Sequence, residues 1–325
     1  MMTEIDIIKQ PVTEQFAEFE AAFEAALSSE TPSICASITS LHRSGGKHIR
    51  PLLLLLTARA CGQVTPAAVQ SAVLLELLHT ASLVHDDVVD DTSRRRGTPS
   101  LNALHGNAVA VLVGDFILAS MMIRAIATVD KQIVSMIAAL CRDMAEGEIR
   151  QLDNTAEAAL SEADYLAVLE KKTAGLLSAC TEIGAITAGA THPTQLLCRS
   201  FGDLMGICFQ IKDDIFDYFD NAETGKPSGN DLREGKVTLP LLYALSTAPD
   251  AEKTRYLSIL QNKQFTPDNT AALIRFAKER GGIEYAERRM NEYKTRATAL
   301  IDNLPASDAK DSLLRLAEFI TARRH

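Results

Sequence analysis

The chain has 325 residues, with 33 basic against 42 acidic side chains and a formal charge of −9 at pH 7, which argues against a surface built to grip nucleic acid or acidic lipid. Only 17 glycines and 11 prolines stand against 46% hydrophobic residues. That excludes a disordered or turn-dominated chain and leaves a globular protein with a substantial core.

The chain reads as one domain over 1–325, all-α, with long helices. Residues 14–29 carry Phe16, Phe19, Phe23 and Ala26 at helical spacing, and Ser44-Gly45-Gly46 then marks a polar loop entering the next helix. From Pro66 to Asp91 apolar residues recur at three and four, and similar stretches follow at 107–128, 131–152, 162–190, 194–219 and 236–247. Strict alternation is nearly absent, so strands are not expected. Residues 220–230 form a polar run and a candidate lid, and more amphipathic helices are expected near 251–261, 268–280, 284–303 and 307–323. The leucine run 52–56 gives way to Thr57 and Arg59, so no stretch of about 20 apolar residues is expected to span a membrane. Met1–Ile8, with Glu4 and Asp6, shows no secretion signal, and the six cysteines (35, 61, 141, 180, 198 and 208) form no CxxC pair. They read as buried reduced thiols in a cytoplasmic protein.

Two helical segments carry the pattern Asp-Asp-x-x-Asp: Asp86-Asp87-Val88-Val89-Asp90 and Asp213-Asp214-Ile215-Phe216-Asp217. The first and last aspartates of each are four apart and share a helix face. Acidic pairs in mostly apolar helices are costly without a cation, and hard carboxylate oxygens suit Mg²⁺, which leaves its remaining positions to phosphate oxygens. One such cluster alone is more often a solvated acidic face; two copies shift the balance. Basic residues gather nearby in sequence. Lys47 and Arg50 lie three apart at a helix entry, Arg94-Arg95-Arg96 follows the first cluster, and Lys171-Lys172-Thr173, Lys226 and Lys236 come later. Gln210 opens a stripe with Asp213, Asp214 and Asp217. Taken singly, the arginines beside the aspartates read as internal ion pairs; together, a ligand carrying a diphosphate accounts for both charge types.

In this order the motifs resemble those of trans-polyprenyl diphosphate synthases of the isoprenoid synthase family: 45–51, 86–90, 95–97, Gly114-Asp115-Phe116, Glu146-Gly147-Glu148, Lys172-Thr173, Phe209-Gln210 with 213–217, Gly225-Lys226, and 231–240. The resemblance covers about 40–245, with C-terminal helices beyond. It implies a large single-domain helical bundle around a deep central cavity, a homodimer, and sequential 1′-4 condensation of isopentenyl diphosphate onto an allylic diphosphate. It further implies Mg²⁺, about three ions per site with Mn²⁺ able to substitute, held by Asp86, Asp90 and Asp213 with Asp87, Asp214 and Asp217 in catalytic support. Arg95, Lys172, Thr173, Gln210, Lys226 and Lys236 are placed by it at the allylic diphosphate, and Lys47, Arg50, His79 and Arg96 at isopentenyl diphosphate. Without it, His79 reads as a satisfied core histidine. Arg94 is expected at the surface, and Arg323 and Arg324 in a frayed tail, with an approach to isopentenyl diphosphate as the lesser alternative.

In this family a bulky aromatic at either position matching Ala81 and Ser82 stops the growing tail; both are small here, so a product longer than geranylgeranyl is expected. Met121, Met122, Ile137 and Leu140 are candidates for the tunnel floor, with ordinary core packing an equal reading. The stretch 106–116 looks most like octaprenyl diphosphate synthases, which supply quinone side chains, with nonaprenyl and heptaprenyl products next. The alternatives are a short-chain farnesyl or geranylgeranyl synthase, a noncatalytic partner subunit, and a terpene cyclase. No nucleic-acid partner is expected, and membrane contact only transiently, for release of a greasy product.

Overall fold

The computed structural model describes residues 3–43, 46–95, 97–157, 161–170, 174–219 and 228–323. They are helical almost throughout. Between connecting turns and loops, the other regular elements are a 3-10 turn at Gln10–Val12 and a two-residue antiparallel ladder pairing Arg94 with Pro99 and Arg95 with Thr98. The chain divides into two compact units, each assembled from separate segments: residues 1–141, 176–202 and 300–316, and residues 142–175, 203–299 and 317–325.

The first unit is organised on the helix Pro66–Val89, which packs against Thr13–Ala26, Ile49–Cys61 and Asn107–Thr128. Thr65 starts it by accepting a hydrogen bond from the Ala68 amide, with Pro66 in the first turn where its missing N–H costs nothing. Most of its apolar residues are buried on every side, including Val73, Leu74, Leu75, Leu77, Leu78 and Val84, so it is a central helix and not an amphipathic one. Leu52–Leu56 are likewise all buried. Gly184 lets its helix approach closely, since a Cβ there would lie 2.6 Å from the Leu54 carbonyl oxygen.

In the second unit Tyr218 is fully buried and its hydroxyl lies 3.2 Å from the Thr238 hydroxyl. The helix Gly282–Ile301 starts flush against Leu239–Thr247, because a Cβ on Gly282 would meet the Pro240 carbonyl oxygen at 2.2 Å. Tyr243 and Tyr285 stack at 4.2 Å between the same two helices.

Several expectations are corrected. Glu162–Leu169 and Gly175–Thr187 fall within the helix expected over 162–190, of which 171–173 lie outside the described residues, while the helices Glu4–Lys9, Pro32–Arg43 and Leu101–His105 were not anticipated. Among the described residues, two helices do reach the length and hydropathy of a membrane span. Pro66–Val89 is 67% buried over its most apolar window and belongs to the core; Asn107–Thr128 is only 33% buried and exposes Leu112, Met122, Ile123 and Ile126 at helical spacing. Cys35 is exposed instead of buried, while all six cysteines are free thiols.

Candidate active site

Both aspartate clusters lie at the C-terminal end of their helices. The first helix ends at Val89, with Asp90 as its cap donating its amide to the Asp86 carbonyl at 2.8 Å; Asp91 then turns into the left-handed region. The second ends at Phe216, and the Asp217 amide reaches back to the Asp213 carbonyl at 3.3 Å. Here the helix dipole is negative, so carboxylates gain nothing from the backbone and repel it. A helix N-terminal charge role is therefore excluded for either cluster.

The members of each cluster differ. Asp86 and Asp90 are half-buried, while Asp87 is 4% exposed and committed to Arg95, whose Nε and Nη2 donate to its Oδ1 at 2.9 and 2.8 Å. The bland ion-pair reading holds for this arginine: the hairpin carries it back onto the helix end, and Asn102 secures that end by donating to the Asp87 carbonyl. Arg94 is exposed, as expected, and donates to the Gly97 carbonyl.

Two to three turns earlier on the same helix, Glu76 and His79 receive the start of Ile49–Cys61. Nδ1 of His48 lies 2.8 Å from Glu76 Oε1, and Nη1 of Arg50 lies 2.8 Å from His79 Nε2. His79 is thus the hydrogen-bond acceptor of an arginine, and its proton must sit on Nδ1 for that bond to form. His48 holds a left-handed backbone (φ 42°, ψ 47°) with its ring edge-on to Phe19 and Phe23. Lys47 is exposed beside it. A cavity of about 300 Å³ opens here, lined by His48, Glu76, His79, Thr80, Asp87 and Arg95 with apolar walls from Phe23, Leu27, Leu83 and Val84. Ala81 is fully buried and Ser82 half-buried, its hydroxyl donating to the His79 carbonyl. Gly114 stands where His85 passes, since a Cβ would lie 2.2 Å from His85 Nε2, and Asp115 is 3.4 Å from that nitrogen. Met121, Ile137 and Leu140 are buried, but Met122 is 54% exposed: it follows Met121 by one residue and so points about 100° away from the core.

In the second cluster Asp214 is the innermost member, 3% exposed. Gln210 Nε2 donates to its Oδ1 at 2.8 Å and the Tyr165 hydroxyl to its Oδ2 at 2.6 Å. Burial pushes its carboxyl up to about 6, against the pull of these two donors. Asp217 accepts the amides of Asn230 and Asp231 and so caps the turn after the 220–227 segment; burial raises its carboxyl as well. Asp231 is half-buried, with its carboxyl raised well above the usual range by desolvation and by Asp214 and Asp217. Asp213 is the outermost and is paired with Arg323, whose Nη2 lies 2.6 Å from Oδ1. Arg323 also donates to the Phe209 carbonyl and stacks over the Phe209 ring at 4.0 Å. It is packed, not frayed as expected. Lys236 pairs with Glu234 at 2.6 Å. Arg96, Lys172, Thr173, Lys226 and most of the candidate lid lie outside the described residues.

A guanidinium on Asp213 is a stand-in for a cation, and the donors are all hard carboxylate oxygens, so these residues fit a divalent metal. Among the described residues no three ligating side chains converge. Each cluster offers one or two carboxylates, the number Mg²⁺ commonly takes when phosphate oxygens complete its shell. Tyr165, Glu76, His48 and Arg323 were not singled out for these contacts by sequence reasoning, because their partners are 28 or more positions away.

The fold is that of the isoprenoid synthases. A polyprenyl synthase from Caulobacter crescentus, solved with calcium and isoprenyl diphosphate, matches with TM-score 0.93 at 32% identity over 99% of this chain and 98% of that one. A geranylgeranyl pyrophosphate synthase from Bacteroides thetaiotaomicron matches with TM-score 0.86 at 40% identity over 99% and 100%. An octaprenyl diphosphate synthase from Haemophilus influenzae is 37% identical over 93% of this chain and 92% of its own length. The pattern of the Polyprenyl synthetase family matches residues 31–276. The chain belongs to that family and is a prenyltransferase of isoprenoid biosynthesis, in a family of divalent-metal-dependent synthases.

Proposed function

We propose that this chain is a long-chain all-trans-polyprenyl diphosphate synthase that makes octaprenyl diphosphate by Mg²⁺-dependent addition of isopentenyl diphosphate to an allylic diphosphate such as farnesyl diphosphate. The observation that carries the reading is the pair of Asp-Asp-x-x-Asp clusters, each placed at a helix C-terminus where the helix dipole disfavours carboxylates and a cation favours them.

On this reading Asp86, Asp90 and Asp213 hold the metal, which when bound neutralises the diphosphate that leaves the allylic carbon. Asp87, Asp214 and Asp217 keep the helix ends in place. Arg95, Lys172, Gln210, Lys226 and Lys236 surround the allylic diphosphate, and Thr173 faces the developing allylic cation. Lys47, Arg50, His79 and Arg96 hold isopentenyl diphosphate; the Arg50–His79 contact presets that arginine. The allylic C–O bond breaks, the double bond of isopentenyl diphosphate attacks the cation to form the 1′-4 bond, and a proton is lost to the departed diphosphate.

Octaprenyl length rests on Ala81 and Ser82, whose small side chains leave room behind the first cluster, and on the relatedness to an octaprenyl synthase. Met121, Ile137 and Leu140 are the floor candidates that remain. A short-chain product is the second reading, favoured by the 40% identity to a geranylgeranyl synthase. The exposed apolar face of Asn107–Thr128 suits a homodimer contact, and a cytoplasmic enzyme supplying quinone side chains fits the whole. The test is incubation with Mg²⁺, farnesyl diphosphate and labelled isopentenyl diphosphate, followed by measurement of product length. Products of 40 carbons support the proposal; products stopping at 20 support the second reading.

A further inference from the structure

We propose that Tyr165 is a positioning residue for the synthase reaction: through its hydrogen bond to Asp214 it fixes the end of the second aspartate helix relative to the helix that leads into Lys172 and Thr173. The inference rests on the reading that Asp213 holds metal and Lys172 the allylic diphosphate.

The geometry sets Tyr165 apart from a packing residue. Its ring is half-buried, and a phenylalanine would fill the same space; the hydroxyl is what reaches Asp214 Oδ2 at 2.6 Å. Asp214 is a buried carboxylate with Asp213, Asp217 and Asp231 around it, so its position is tolerable only while both oxygens are supplied with donors. Gln210 supplies one from the same helix, one turn back. Tyr165 supplies the other from 49 residues away and is therefore the tie that links two elements.

The helix Glu162–Leu169 that bears Tyr165 is anchored a second time. Glu162, at its start, accepts from the Tyr285 hydroxyl at 2.6 Å and from Arg289 Nε at 3.0 Å. A short helix fixed at its first turn to Gly282–Ile301 and at its middle to Asp214 acts as a strut, and the chain runs from its end directly to Lys171-Lys172-Thr173. Outer groups that orient ligating side chains this way commonly change metal affinity about 10–100-fold when removed.

The test uses the full-length enzyme and Tyr165→Phe. Free Mn²⁺ is followed by electron paramagnetic resonance during titration with inorganic pyrophosphate present, and kcat and both KM values are measured separately with Mg²⁺. The expected result is Mn²⁺ binding weakened about tenfold or more, kcat reduced, and KM for isopentenyl diphosphate unchanged. Wild-type Mn²⁺ binding and kcat in Tyr165→Phe, with or without a lower Tm, overturn the proposal. If the wild type itself binds no Mn²⁺ with pyrophosphate, the synthase reading fails first and the proposal with it. Should Tyr165→Phe not fold, Asp214→Leu removes both acceptor oxygens and breaks the same tie from the other side, and an unshifted Mn²⁺ midpoint there overturns the proposal equally.

Discussion

Arg323, the third-last residue of the sequence, places its guanidinium 2.6 Å from Asp213, the aspartate proposed to hold metal. The arginine is mostly buried and rests on the Phe209 ring, while Asp213 is 40% exposed and keeps the pair partly screened. Metal and arginine then compete for one carboxylate. Arg323→Gln should lower the Mg²⁺ concentration that gives half-maximal turnover several-fold. An unchanged or higher midpoint would show that the ion pair does not hold Asp213 against the metal.

Neighbouring aspartates in the first cluster should respond in opposite ways. Asp86 is half-buried at the helix end, and Asp86→Ala should remove most turnover with little change in Tm; the same is expected for Asp213→Ala. Asp87 is buried beneath a two-pronged arginine contact, and Asp87→Ala leaves Arg95 without its carboxylate. Because Arg95 is one-third exposed, water compensates in part, and a loss of about 1–3 kcal/mol is expected. Urea unfolding beside a turnover assay distinguishes the two, and near-normal activity of Asp86→Ala would contradict its assigned role.

The repeated aspartates were legible because their spacing is local: four residues on a helix put two carboxylates on one face whatever the rest of the chain does. Where the helices stop was not. Val88 and Val89 continue the apolar pattern, and only the backbone at Asp90 and Asp91 shows that the cluster is a helix terminus. Tyr165 and Arg323 were illegible for another reason. Each reaches an aspartate far along the chain, and no periodicity encodes such a pairing. Met122 shows the limit of reading adjacent apolar residues together, since one step along a helix separates core from surface.

The raised carboxyl of Asp214 carries a pH signature. Its value moves from the ordinary 3.8 to about 6, chiefly by burial. The folded state thus binds this proton more tightly than the unfolded chain, so its contribution to stability is full below about pH 4, declines as pH rises through 6, and is flat above. Relative to wild type, Asp214→Asn should gain stability across that window and hold a constant difference at higher pH. Urea unfolding between pH 4 and 7.5 measures it; a difference independent of pH would mean that Asp214 does not titrate there.

The apolar face of Asn107–Thr128 is tested by charge. Ile123 is 73% exposed and Leu112 67%, on one side of a helix whose other side packs on Pro66–Val89. Neither side chain supports the fold of its own unit. Leu112→Glu with Ile123→Glu should therefore leave the helical circular dichroism and Tm of the unit nearly intact while converting the proposed homodimer to monomers in analytical ultracentrifugation. A variant that remains dimeric would place the contact elsewhere.

Product length turns on Ala81. It is fully buried on the central helix, four residues before His85 and five before Asp86, and Ser82 beside it is half-buried. If the growing tail passes this turn of the helix, Ala81→Tyr fills the path directly behind the first cluster and should shift products toward 15–20 carbons, the length at which about three to four five-carbon units have been joined. Because the site is tightly packed, the added ring also strains the core by roughly 1–3 kcal/mol, so the assay is read at a temperature where circular dichroism shows the variant folded. Folded Ala81→Tyr that still makes the wild-type length would show that the tail does not run past this position.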